Sequence, residues 1–327
     1  MPFDAERYTH DADRAALNAL KAIPGFSLLT KGFMNVWNEP QYRILNMSTR
    51  IRLGENQMRK YYDMLPPICE KLGIPVPDLY IEQDVKPNAY TYGDTNPFIV
   101  VTSGMLSTVP DELVPTVLAH ECGHIACRHT LYHTMGRFVL GGASAAMSTF
   151  LKFGSLLSIP LQIAFYYWMR CSEFSADRAA VLCDGSPRKM QEVCMRLAGW
   201  DKDNIADANI GAFLQQAGDY REMINGSAWN KTLEFMVLKD ATHPLMAVRA
   251  TECGEWADSD LFSRILNGIP DPVEAKPEAH AAPAEPKEPE SPDGPDAATE
   301  LRWYKKMLDE GLITREQYEQ KKKELGQ

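Results

Sequence analysis

The sequence predicts an α+β fold, mainly helical, with one small β-sheet and a short helical pair at its C-terminal end. Three observations carry that reading. Apolar residues recur at helical spacing through most of the chain up to about residue 268. Three short runs rich in β-branched and aromatic residues fall close together between residues 79 and 101. A Pro-, Ala- and acid-rich stretch then separates a last charged, helix-patterned segment from the rest.

Residues 11–73 read as helices. Ala16, Leu17, Leu20 and Ile23 form one apolar stripe; Met58, Tyr61, Tyr62, Leu65, Ile68, Cys69 and Leu72 form another. Gly73-Ile74-Pro75-Val76-Pro77 stops the second. Leu79-Tyr80-Ile81, Ala89-Tyr90-Thr91-Tyr92 and Phe98-Ile99-Val100-Val101 are the strands, joined by Pro, Gly and Asn turns.

An apolar helix follows, and it carries His120-Glu121-Cys122-Gly123-His124. Histidines four apart are offset by only about 40° around a helix axis, so both imidazoles can converge on one ion. Glu121 between them is placed to take a proton from a water that the ion activates. Gly123 leaves room for a close neighbour. His129 and His133 are also four apart; continued on the same helix, His129 lies nearly opposite His120, and both are expected to pack or hydrogen-bond.

A catalytic zinc takes three protein ligands and keeps one position for water. The third is expected on a second helix, Trp168 to Ala180, where Glu173 and Asp177 share a face. Glu173 is the expected ligand, and Asp177 the acceptor for the second N–H of a ligand histidine. Small residues at Ser175, Ala176, Ala179 and Ala180 let that helix lie close to the first. Thr242-His243-Pro244 reads equally as a helix-capping loop or as a site histidine. In the second case His243 steadies an oxyanion or acts as a removable fourth ligand. Arg249 is expected to order that segment by pairing with a carboxylate such as Asp177.

Together these residues resemble the HtpX-like and CAAX prenyl endopeptidase-type family of gluzincin zinc metallopeptidases. The likeness rests on residues 120–124, the Glu173–Asp177 pair, Thr242-His243-Pro244, Arg249, and the segments 87–93 and 98–106. It implies a zincin-like domain with one Zn²⁺ per chain on His120, His124 and Glu173. It implies Glu121 as general base and acid, Asp177 behind the ligands, and His243 near the ion. It also implies that Asn88, Ala89 and Tyr90, with the backbone on to Tyr92, take an extended protein or peptide substrate as an added strand. The expected activity is metalloendopeptidase cleavage in protein quality control or processing. The alternative is a zinc-containing binding or quality-control adaptor whose metal site is closed. A purely structural site is disfavoured, because such sites are usually cysteine-rich and four-coordinate.

Residues 138–169 hold one charge between Arg137 and Arg170, Lys152, and Pro160 interrupts their second half. A helical hairpin fits this better than two membrane spans, which each need about 20 apolar residues. Membrane contact there is not favoured. The net charge of −10 argues against nucleic acid as a partner. Seven cysteines without a C-x-x-C pair fit free thiols in a reducing cytoplasm, with contact at the inner face of a membrane left open. Of these, Cys122 and Cys171 lie beside site residues, and small core positions explain them as well as metal binding does.

The expected domain plan is a catalytic domain over 1–269, a linker over 270–299 and a module over 300–327. The last, with Gly311 ending one helix and Thr314 and Gln317 boxing the start of the next, resembles the SHOCT module. That likeness implies a bacterial setting. So small a core invites self-association or docking to a partner.

Overall fold

In a computed structural model of the chain, the residues described are 2–23, 26–27, 30, 33, 39–140, 159–199, 208–227, 230, 234, 245–271, 301, 305, 308 and 315–324. The fold is mainly helical with one small mixed sheet, as the sequence predicts. Helices α1 (Ala5–Tyr8), α2 (Asp11–Lys21) and α3 (Glu39–Thr49) come first, and α2 buries Asp13, Ala16 and Leu20 on one face. Strand β1 (Ile51–Arg52) and helix α4 (Leu65–Leu72) precede β2 (Asp78–Glu82), β3 (Ala89–Tyr92) and β4 (Phe98–Thr102).

The sheet order is β1-β2-β4-β3. β4 runs parallel to β2 and antiparallel to β3, and β1 pairs antiparallel with β2. β4 is buried along its whole length, which explains its unbroken apolar run. β3 lies at the edge and alternates buried with half-buried residues. The all-helical reading of 11–73 is corrected at β1. A two-residue strand is too short to show a period of two, and Ile51 declares itself only by pairing with Ile81. The stripe from Met58 to Leu72 also breaks in two. Pro66 and Pro67 start a fresh helix, their missing N–H groups falling where no helical partner exists.

Besides two short helical turns at Arg59–Tyr62 and Ser103–Thr108, the further described helices are α5 (Val114–Ala126), α6 (Thr130–Leu140), α7 (Ile159–Asp184), α8 (Arg188–Ala198), α9 (Ile210–Asn225), α10 (Met246–Ala257), α11 (Asp260–Leu266) and α12 (Arg315–Glu324). Among the described residues, two of the apolar clusters hold most of the helices. The larger joins the sheet to α4, α5, the second half of α7, α8 and α10, with Leu65, Ile99 and Leu118 fully enclosed. The smaller packs α2 and α6 on the first half of α7 through Leu20, Met135, Phe165 and Trp168. Between them α5 lies directly on α7. A Cβ built on Gly123 would stand 2.7 Å from Ala179 Cβ and 3.0 Å from Ala176 Cα, so only glycine permits this approach.

Within 138–169, α6 ends at Leu140 and α7 begins at Ile159; residues 141–158, Lys152 among them, lie outside the described set. Pro160 is the second residue of α7 as described, a first-turn position where its ring is tolerated. Among the described residues no helix is long and apolar enough to cross a membrane. The linker 272–299 and most of 300–327 also lie outside the described residues, apart from α12 and three isolated positions.

Candidate metal centre

The site is built from α5, α7, α10 and the edge strand β3. Pro115 opens α5 in its first turn, and every residue from Thr116 to His124 is buried. His120 and His124 turn their Nε2 atoms to within 3.2 Å of each other. Glu173 arrives from α7, its Oε2 3.5 Å from His120 Nε2 and its Oε1 3.4 Å from His124 Nε2. A tetrahedral ion with bonds of about 2.0–2.2 Å separates its donors by about 3.3–3.6 Å, so these atoms fit one zinc ion. The charge balance fits as well. Glu173 and Asp177 share the Arg249 guanidinium, and with Glu121, which lies between the two histidines in sequence, all four are buried to 3 % exposure or less, so among the described residues a divalent cation suits the surplus negative charge.

Behind the donors, Asp177 Oδ1 lies 2.9 Å from His120 Nδ1. Arg249 on α10 donates to both Asp177 oxygens and places Nη1 3.0 Å from Glu173 Oε2. Burial alone would raise the Asp177 carboxyl, but the Arg249 charge holds it below its ordinary range. Burial works against a proton on His120, yet its bonds to Asp177 and Glu173 lift it to about 10. Burial pushes His124 the other way, below its ordinary value.

Glu121 is buried on α5, between the two histidines in sequence. Thr91 on β3 donates its hydroxyl to Glu121 Oε2 at 2.6 Å, tying the edge strand to the carboxylate. Asn88, Ala89 and Tyr90 lie along and just before that strand. Among the described residues Asn88 Oδ1 is buried with no hydrogen-bond partner. Tyr90 turns away, its hydroxyl donating to Glu82 Oε2 at 2.6 Å. His243, with Thr242 and Pro244, lies outside the described residues. Cys122 belongs to the core, its Sγ 4.0 Å from Cys69 Sγ; that contact and burial hold it as a thiol. Burial likewise pushes Cys171 up to about 11. Neither joins the converging donors.

One expectation is corrected. His129 and His133 do not continue the metal helix. Arg128 adopts a left-handed backbone (φ 58°), Arg128 N donates to Ile125 O at 3.0 Å, and His129 N donates to His124 O at 2.9 Å. This pair of bonds ends the helix in a Schellman turn. The turn brings His129 beneath His124 rather than opposite His120. The sequence reading missed Thr91 and Asp13. Both are polar residues on an inward face, Thr91 in the strand alternation and Asp13 three residues before Ala16 on the buried stripe of α2, and that was the available signal.

Residues 57–257 match the model of peptidase family M48. The plastoglobule-localized metallopeptidase 48 of Arabidopsis thaliana chloroplasts is 31 % identical over 265 residues, covering 80 % of this chain and 76 % of that protein. Protease HtpX homologues of Ralstonia pickettii (strain 12J) and Ralstonia nicotianae are 25 % and 24 % identical over 183 residues. The match covers 50 % of this chain and 63 % of each, so the chain spans less than two thirds of their length. No solved structure matches the chain.

Proposed function

The chain belongs to peptidase family M48 and is a metallopeptidase, a hydrolase acting on proteins or peptides; from that premise we propose that His120, His124 and Glu173 hold one zinc ion and that Glu121 is the general base and acid. The observation that carries the proposal is the spacing of the three donors, 3.2 to 3.5 Å, with Glu121 between the two histidines in sequence and its carboxylate held by Thr91. When bound, zinc would make water acidic and polarise the scissile carbonyl. Glu121, oriented by Thr91, takes the proton of the attacking water and returns it to the leaving amine. Asp177 keeps the Nδ1 proton of His120, so that Nε2 offers its lone pair. Arg249 neutralises part of the carboxylate charge and fixes Glu173 and Asp177 relative to each other.

The proposal extends to an extended substrate lying along β3, with an N–H group satisfying Asn88 Oδ1, and to cleavage at internal bonds in protein processing or quality control. The edge position of β3 and its tie to Glu121 support this. His243 is retained as a second catalytic group on its sequence context alone. A fall in kcat on the order of 10²-fold in His243→Ala with zinc content unchanged supports that role, and an unchanged kcat removes it. The seven unpaired cysteines support a reducing compartment, which we take to be the cytoplasm. A closed adaptor site is the weaker reading. Among the described residues, three donors converge with a held carboxylate next to them, and a scaffold has no use for that carboxylate.

Metal removal tests the assignment. Chelation should abolish cleavage of an unstructured protein substrate, and zinc at one equivalent should restore it. Full cleavage by metal-free protein would refute the proposal.

A further inference from the structure

A second set of buried polar groups runs from His124 to the N-terminal helix. His124 Nδ1 lies 3.0 Å from His129 Nδ1, and His129 Nε2 lies 2.8 Å from Asp13 Oδ2. Asp13 sits on α2, outside the residues that the family model matches. It also accepts from Ser175 Oγ at 2.6 Å and from Trp168 Nε1 at 2.9 Å. Asp13 and His129 are 1 % and 2 % exposed, so water does not complete their bonding.

The protons in this chain can be counted. A histidine that offers Nε2 to a metal carries its proton on Nδ1. His124 must then donate to His129 Nδ1, which accepts. The His129 proton is therefore on Nε2, directed at Asp13. An ionised carboxylate only accepts, and each partner of Asp13 here is a donor. No two protons and no two lone pairs face each other. In the reverse order, a bare His129 Nε2 would face the Asp13 carboxylate, and His124 would aim a proton at the metal position.

Resting on the metal reading above, we propose that Asp13 is a positioning residue of the metal centre, acting through His129 to fix the tautomer and ring orientation of His124. His120 has its carboxylate directly, in Asp177; His124 has one at one remove, in Asp13. The Schellman turn at Arg128 makes the relay possible by folding His129 back under the metal helix. Ser175, on the same helix as Glu173, completes the hold on Asp13, so both helices bearing metal donors are tied to α2.

The test is zinc affinity by chelator competition on the full chain, with variants that separate relay from packing. His129→Gln keeps an acceptor for His124 and a donor for Asp13; His129→Leu keeps only bulk. Asp13→Ala and His129→Leu should weaken zinc by about 10–100-fold, while His129→Gln stays near wild type. The visible spectrum of the cobalt-substituted protein should change in Asp13→Ala and His129→Leu and not in His129→Gln. If Asp13→Ala does not fold, the two His129 variants decide. Equal affinities for His129→Leu and His129→Gln would overturn the relay. So would two zinc ions per wild-type chain, the result expected if His124, His129 and His133 hold an ion of their own. A wild-type chain that binds no zinc would instead overturn the metal reading itself.

Discussion

Arg249 grips Asp177 through two hydrogen bonds, Nε to Oδ2 at 2.8 Å and Nη2 to Oδ1 at 2.6 Å, both groups buried. The two residues are 72 apart in the chain, so the contact ties α10 to α7 behind the metal position. Removing one partner of such a pair leaves the other charged and unsolvated.

Arg249→Leu should therefore lose about 3–5 kcal/mol of stability at neutral pH. The pH dependence has a definite sign. Asp177 is depressed in the folded protein, so the pair's contribution is fully present above the unfolded value of about 3.9. It fades as pH falls through the folded value. Denaturant unfolding of both proteins at decreasing pH should show the gap between them narrowing towards acid. A gap that widens would contradict the role given to this pair.

Gly123→Ala should cost about 1–3 kcal/mol, because the new methyl meets Ala179 and Ala176 and forces α5 away from α7. Those helices carry His120, His124 and Glu173, so zinc affinity should fall as well. Thermal unfolding and metal titration together check this. A variant with unchanged melting and unchanged affinity would show that the two helices can separate freely.

Arg128 provides a third test. Its left-handed backbone is costly for a residue with a Cβ and worse for a β-branched one. Arg128→Gly should be near neutral in stability, whereas Arg128→Val should lose roughly 1–3 kcal/mol. Equal losses would mean that the Schellman turn is not what ends the metal helix.

What could be read in advance followed the range of the interactions. His120, Glu121 and His124 were legible because an i, i+4 pair on an apolar helix is a local pattern. Glu173 lies 49 residues beyond His124 and was reached through the carboxylate pair and the family likeness rather than through spacing. The three main strands showed as short β-branched and aromatic runs between turn residues, but β1 exists only through its pairing with β2. The break at Arg128 was hidden because no glycine or proline marks it. The ties of Thr91 to Glu121 and of Asp13 to His129 are tertiary contacts across 30 and 116 residues. Only an inward-facing polar residue hinted at either.

In the proposed division of labour, Glu121 moves the proton while the two histidines and Glu173 hold the ion. Glu121→Gln keeps the size of the side chain and its bond to Thr91 while removing the base. Zinc content and peptide cleavage measured on one preparation test this most directly. The variant should hold one zinc per chain, as in the wild type, with cleavage reduced by at least about 10²-fold. Cleavage at a comparable rate with zinc still bound would contradict it.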